Sequence, residues 1–126
     1  MAITLKILPG LYAIAKLPPQ APVPAWLAGV GLWAVVGADD ETTIICPQER
    51  MPKDITSTRN WACLRTTGPF GFDETGIVSN LITPLSEAGI GIFVLCTYDG
   101  EHVMLPASDL PRGKELLSQA GYLFDE

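Results

Sequence analysis

Histidine is almost missing from this chain: of 126 residues, only His102 is one. Proton transfer near neutral pH draws on histidine more than on any other side chain. Neither a Ser-His-Asp nor a Cys-His arrangement can be assembled without asking His102 to serve every role. As a residue of a return strand without a partner nearby in sequence, it reads as a surface or interface side chain. Cysteine is scarce too. Cys46, Cys63 and Cys96 are odd in number and sit in apolar patterns, as buried reduced thiols of a cytosolic protein do. The absence of any Cys-x-x-Cys removes the usual zinc and redox pairs. Basic residues number 8 against 14 acidic ones, a net charge of −6, and form no cluster, which argues against a nucleic-acid partner. No apolar run approaches the roughly 20 residues of a membrane helix; Trp26 to Ala38 comes nearest and is broken by Gly29, Gly31 and Gly37. The N-terminus lacks the basic, apolar and small-residue succession of a secretory signal, so a cytoplasmic location is expected. Asp39-Asp40-Glu41 falls in a hairpin loop where solvated charge is the default. Gly68-Pro69-Phe70-Gly71 is followed by no lysine and reads as a plain loop. These absences point to no catalytic residues, no metal, no cofactor and no membrane partner.

Apolar residues are what the chain has in quantity. They make up 48% of it, with a mean hydropathy of +0.27 and only 17% charged residues. That balance suits a thin sheet-and-helix protein that also buries surface between subunits, and so a homodimer.

The first half reads as strands without a full helix. Ile3, Leu5 and Ile7 alternate with Thr4 and Lys6, and Leu8-Pro9-Gly10 turns the chain into a second strand, Leu11 to Leu17. Pro18, Pro19, Pro22 and Pro24 make a stiff connector that cannot join a ladder, with a short helical turn near Ala25 to Leu27. Leu32 to Val36 and Thr42 to Cys46 flank the acidic loop as a hairpin. Lys53 to Asn60 reads as the boundary between halves, and Trp61 to Thr66 as the first strand of the second.

The second half is richer. Asp73 suits a helix N-cap. Ile77, Val78, Leu81, Ile82, Leu85 and Ala88 form one apolar face, Pro84 interrupts it, and Gly89 ends the helix. Ile90 to Tyr98 is apolar without alternation and predicts a strand buried on both faces. A turn at Asp99-Gly100 leads to a return strand. Ser108 or Asp109 then caps a last helix to about Ala120, stopped by Gly121, and Tyr122 to Phe124 can close the sheet. Within that helix, Gly113 costs about 1 kcal/mol relative to alanine. The order β-α-β-β-α, with a closing strand, is ferredoxin-like.

The run Asp73-Glu-Thr-Gly-Ile-Val, with Leu85-Ser-Glu-Ala-Gly-Ile after it, resembles the opening of an ACT domain, a small ferredoxin-like regulatory module that binds amino acids. Cys96-Thr-Tyr-Asp-Gly-Glu-His-Val-Met-Leu is similar to the Ser-Thr-Tyr-x-x-Asp-x-x-Leu-Val stretch of the ACT-like domains in cytosolic arginine sensors. Leu8-Pro-Gly, Ala13, Leu17-Pro-Pro, Ile45-Cys-Pro, Trp61-Ala-Cys-Leu and Gly121-Tyr122 extend the likeness to bacterial ACT domain-containing proteins over nearly the whole chain. Cys96, Glu101 and His102 depart from the usual Ser, Asp and aromatic or apolar residue.

The resemblance implies an α+β, ferredoxin-like fold of two tandem ACT-like halves: an abbreviated one over 1–52 and an ACT-like domain over 60–126. It implies non-catalytic regulatory binding of a small amino acid or related metabolite at an interface between ACT modules. Carried over by position, the contacts are Gly68, Phe70, Phe72, Asp73, Gly76, Ile77 and Val78 on one side, with Thr97, Tyr98 and Glu101 on the other. Backbone N–H groups at a helix start suit an α-carboxylate, and an acidic side chain suits an ammonium or guanidinium group. Each residue also has a plainer reading: Asp73 as an N-cap, Thr97 as a strand end, Tyr98 as packing, Glu101 as a solvated hairpin charge. The rival function is a ligand-free interaction protein that uses the same surface for assembly.

Overall fold

Proline and glycine set the limits of regular structure in residues 10–61. The computed structural model describes residues 3–67 and 75–125, and the chain divides into two units, Gly10–Trp61 and Met1–Pro9 with Ala62–Glu126. In the first unit, β2 (Tyr12–Leu17) pairs antiparallel with β4 (Thr42–Pro47), which pairs in turn with β3 (Ala34–Gly37) in the expected hairpin. On its other side β2 meets the first part of β5, a strand that runs from Ser57 to Thr66. The order is therefore β3-β4-β2-β5. Ala13, Ala15, Leu27, Ile44, Cys46 and Met51 form the core, with Leu17, Trp26, Val35 and Ile55 packed at its margin.

In this unit two arginines hold irregular backbone in place. Arg50 Nη1 donates to the carbonyl of Leu27 at 2.7 Å, and its Nη2 donates to that of Val30. Gly29 leaves room for this guanidinium, whose central carbon would lie 2.9 Å from a Cβ there. Arg59 donates to the carbonyls of Gln48, Met51 and Pro52 at 3.0–3.1 Å. Loop carbonyls that no ladder satisfies are thus satisfied by guanidinium forks.

β5 begins at Ser57, four residues before the strand expected at Trp61. Its polar opening hides it from hydrophobic patterning, and a bulge interrupts its register between Tyr12↔Trp61 and Ile14↔Thr58. Asn60 sits at that bulge with φ of 65°. Its backbone N–H donates to Gln48 Oε1 at 2.8 Å, while Gln48 Nε2 donates to Asn60 Oδ1 at 3.3 Å.

The second unit pairs β1 (Thr4–Ile7) antiparallel with β5 and parallel with β8 (Leu123–Asp125). β7 (Gly100–Pro106) pairs with β5 and with β6 (Phe93–Thr97), giving the order β6-β7-β5-β1-β8. Helix α1 (Ile77–Glu87) follows β5 in sequence, and α2 (Leu110–Gln119) precedes β8. Leu81 and Leu85 of α1 and Leu117 of α2 are buried with Leu5, Leu64, Val103, Met104 and Leu105. Both helices end as glycine predicts. Ile90 N–H donates to the Leu85 carbonyl and Gly89 N–H to that of Ser86; Tyr122 to Leu117 and Gly121 to Ser118 repeat the pattern. Gly89 and Gly121 take φ of 78° and 98° in these Schellman stops. Gly113 also has its reason: a Cβ there would lie 2.7 Å from Leu105 Cδ1 and 3.4 Å from Leu85 Cδ2.

Three expectations need correction. The N-cap of α1 is Gly76, at φ of 82° and without a side-chain cap, rather than Asp73; Asp73 itself lies outside the described residues. β6 is shorter than Ile90 to Tyr98 and only half-buried, since among the described residues its one ladder partner is β7. The strand buried on both faces is β7, which has a neighbour on each side. The strand read as opening the first half, β1, belongs to the unit of 62–126, through pairings with residues about sixty and about one hundred and twenty positions away.

Counted from its own first strand, each unit has its strands in the order 2-3-1-4, with β1 interposed before the last one in the second unit. The architecture is α+β and ferredoxin-like, two tandem halves of which the first has no α-helix among the described residues. No helix among the described residues is long and apolar enough to cross a membrane.

Candidate ligand-binding site

The turn between β6 and β7 carries three of the anticipated contacts. Thr97 is opposite Gly100 and Cys96 opposite Glu101, leaving Tyr98 and Asp99 as a two-residue connection. Thr97 Oγ1 donates to the Gly100 carbonyl at 3.0 Å, which ties the hydroxyl to the turn. Gly100 permits a close approach rather than an unusual backbone angle. A Cβ there would lie 3.2 Å from both the carbonyl oxygen and the Oγ1 of Thr66 on β5. Tyr98 projects from the tip at 77% exposure.

Glu101, next along, has a job that its sequence context did not suggest. Thr66 Oγ1 donates to Glu101 Oε2 at 3.0 Å, and the backbone N–H of Glu101 donates to the same hydroxyl at 2.9 Å. Thr66 is wholly buried, whereas Glu101 is half-buried. One hydroxyl therefore spans β5 and β7 and fixes the carboxylate against the sheet. Thr66 was missed because a threonine at the end of an apolar strand reads as packing. Its one visible signal is a polar residue closing the run Trp61 to Thr66.

His102 is 4% exposed and not a surface residue. His102 to Leu105 are buried one after another, so both faces of β7 are covered there. Its Nδ1 has no hydrogen-bond partner among the described residues. Burial pulls its pKa below the usual imidazole value of 6.5, and the nearby positive charge of Arg65 adds to this, against a weaker opposing bond to the Leu95 backbone. Burial pushes the Cys63 thiol up to about 12. Cys46 and Cys63 are buried as expected, but Cys96 is exposed, because it lies near the end of the edge strand β6.

The other side of the anticipated site starts at the helix. Gly76, Ile77 and Val78 form the first turn of α1, where the Gly76 carbonyl accepts from Asn80 N–H at 2.9 Å and from Ser79 Oγ at 3.4 Å. Gly68, Phe70, Phe72 and Asp73 lie outside the described residues. Thr97, Tyr98 and Glu101 are thus brought together at one turn, joined by Thr66 and Gly100. Gly76, Ile77 and Val78 are brought together at the helix start.

An ACT domain model matches residues 56–119, just over half of the chain, and a model of an N-terminal domain matches residues 10–54. The chain belongs to the ACT domain family. Over 77 residues this ACT protein is 31% identical to the Cytosolic arginine sensor for mTORC1 subunit 1 of Homo sapiens, a match covering 57% of the chain and 23% of that protein. It therefore spans about a quarter of the length of the curated relatives it matches. The crystal structure of protein Atu0741 from Agrobacterium tumefaciens superposes with a TM-score of 0.93 at 44% identity, covering 99% of this chain and 93% of that one. The regulatory subunit of aspartate kinase from Thermus thermophilus, ligand free, shares the fold at a TM-score of 0.61 and 13% identity, over 88% of this chain and 93% of that one.

Proposed function

We propose that this ACT protein is a non-catalytic regulatory module of the cytoplasm that binds a small amino acid or related metabolite at an interface between ACT modules. The observation that carries the reading is the Glu101 carboxylate, fixed by Thr66 beside the Thr97 turn in a domain similar to an arginine sensor. In this reading Glu101, Thr97 and Tyr98 meet the ligand's cationic end. Gly68, Phe70, Phe72 and Asp73, with the helix start at Gly76, Ile77 and Val78, receive its carboxylate. A helix N-terminus offers free N–H groups and the positive end of the helix dipole for that purpose. The scarcity of proton-transfer groups supports a role without catalysis: the one histidine is buried and held neutral by its surroundings.

A charge-assisted hydrogen bond contributes about 1.5–3 kcal/mol, so Glu101→Gln is expected to weaken the bound amino acid about 10- to 100-fold. Glu101→Asp should be milder. Screening the twenty amino acids by thermal shift, then titrating the best one against both variants by calorimetry, tests this. A hit indifferent to Glu101→Gln, or no hit at millimolar concentration, would defeat it.

A second reading, a ligand-free interaction protein, draws on the half-buried apolar side chains Ile92, Phe93, Val94 and Leu95 at the sheet edge. Edge strands with apolar side chains are ready sites of association. The same screen separates the two readings.

A further inference from the structure

We infer that His102 makes the edge strand β6 the acid-sensitive part of this sheet: a proton on its imidazole opens the strand, and a ligand held at the Thr97 turn closes it. The second half of the inference rests on the amino-acid-binding reading above; the first does not. Side chains alternate along a strand. Leu105 points towards α2, since a Cβ on Gly113 would lie 2.7 Å from its Cδ1. Val103 and Glu101 therefore share the helix side, and His102 and Met104 lie on the other. Leu95 and Phe93, their cross-strand partners, share that other face. On β5, Thr66 meets Glu101 on the helix side, so Arg65 and Cys63 belong to the face of His102. The titratable groups flanking the imidazole are thus a cation and a buried thiol pushed up to about 12. Lys6 of β1, opposite Arg65, adds a second cation. Cys96, the titratable group of β6, pairs with Glu101 on the helix side. No carboxylate of β5, β6 or β7 shares the face of His102; Asp125 of β8, opposite Lys6, is three strands from β7.

The imidazole is 4% exposed, and its Nδ1 has no partner among the described residues. A second ring proton would be a buried donor without an acceptor, beside the positive charge of Arg65. The ring's bond to the backbone of Leu95 favours the charged form, but less than burial and Arg65 oppose it. Water relieves the charge where the sheet opens. β5 pairs with β1 and β7, and β7 with β5 and β6, whereas β6 has β7 alone among the described residues. Its side chains are half-buried at Phe93 to Leu95 and exposed at Cys96 and Thr97. It is the strand whose departure costs least. Departure also breaks the bond from Thr97 Oγ1 to the Gly100 carbonyl and takes Thr97 away from Glu101. A ligand that needs both residues therefore opposes the opening.

Hydrogen exchange of the full chain, read by mass spectrometry at about pH 7.5 and about pH 5 and corrected for the intrinsic pH dependence of exchange, tests this. In wild type, protection over Phe93–Thr97 should fall about 10- to 30-fold at the lower pH, as linkage requires of a group that takes its ordinary pKa of 6.5 only in the open state. Protection of β1, α1 and α2 should hold. His102→Phe, which keeps the bulk of the ring and binds no proton, should abolish most of the fall. Arg65→Glu, at an exposed position, puts a carboxylate on the face of His102 and should diminish it severalfold. If His102→Phe does not fold, Arg65→Glu still decides. No fall in β6, a fall spread evenly over the strands, or one that both variants leave unchanged overturns the inference. Saturation with the best of the twenty amino acids should restore the protection of β6 at the lower pH. An amino acid that binds without protecting β6 overturns the ligand half alone. If β6 opens as described and none of the twenty binds, it is the amino-acid reading that falls.

Discussion

At the scale of the residue, buried polar groups on β5 and β7 set the chemistry. His102 is folded into the sheet neutral, with its pKa lowered chiefly by burial. Below the unfolded value of 6.5 the unfolded chain takes up a proton that the folded one resists, so stability is full above that pH and is lost as pH falls towards the lowered folded value. Urea unfolding between about pH 8 and about pH 5 should show this loss in wild type and less of it in His102→Phe; equal slopes would show that His102 is not its source. The cysteines offer a second check. Cys63, with its thiol pushed up to about 12 and buried, should resist alkylation in the native state together with Cys46, while exposed Cys96 reacts. Peptide mass spectrometry after brief iodoacetamide treatment reads the outcome, and labelling of Cys63 before Cys96 would contradict the burial described. Glu101 has a structural role beside the one proposed for it. Its carboxylate accepts the Thr66 hydroxyl of β5 at 3.0 Å.

At the scale of the element, the second unit is held by helices seated on close backbone contacts. Gly113→Ala is a sharp case, because helix propensity alone predicts a gain of about 1 kcal/mol. The new methyl would meet Leu105 Cδ1 at 2.7 Å in a fully buried setting, where overpacking costs about 1–3 kcal/mol. A lower melting temperature is expected, and a higher one would mean that Leu105 gives way freely. Elements with a strong local signal were legible in the sequence. The hairpin β3–β4 could be read, as could both helices with their glycine stops and the closing strand after Gly121, because each depends on residues a few positions apart. Three features were not. The start of β5 is polar and bulged at Asn60, so its periodicity fails. Burial of β7 rather than β6 depends on which strand acquires two neighbours, and an apolar run does not encode that. The insertion of β1 beside β8 joins opposite ends of the chain. In the candidate site, the turn residues were visible as a motif, but the Thr66 bond crosses 35 positions and leaves no local trace.

At the scale of the whole molecule, an ACT domain with a β6–β7 turn is preceded by an abbreviated half whose loops are held by Arg50 and Arg59. A regulatory module of this kind acts by binding and by assembly, since a ligand can shift an equilibrium only as far as its affinities for two states differ. The apolar composition and the half-buried edge strand β6 lead us to expect a homodimer. Replacing Val94 with lysine should reduce the assembly, because a charge at a sheet edge opposes pairing; an unchanged mass in sedimentation would place the interface elsewhere. Native mass spectrometry of the full chain with each of the twenty amino acids at millimolar concentration decides whether the protein binds an amino acid. A dimer carrying one amino acid per protomer is expected, with the bound mass lost in Glu101→Gln. Apo mass throughout the series, for wild type as for the variant, would contradict it.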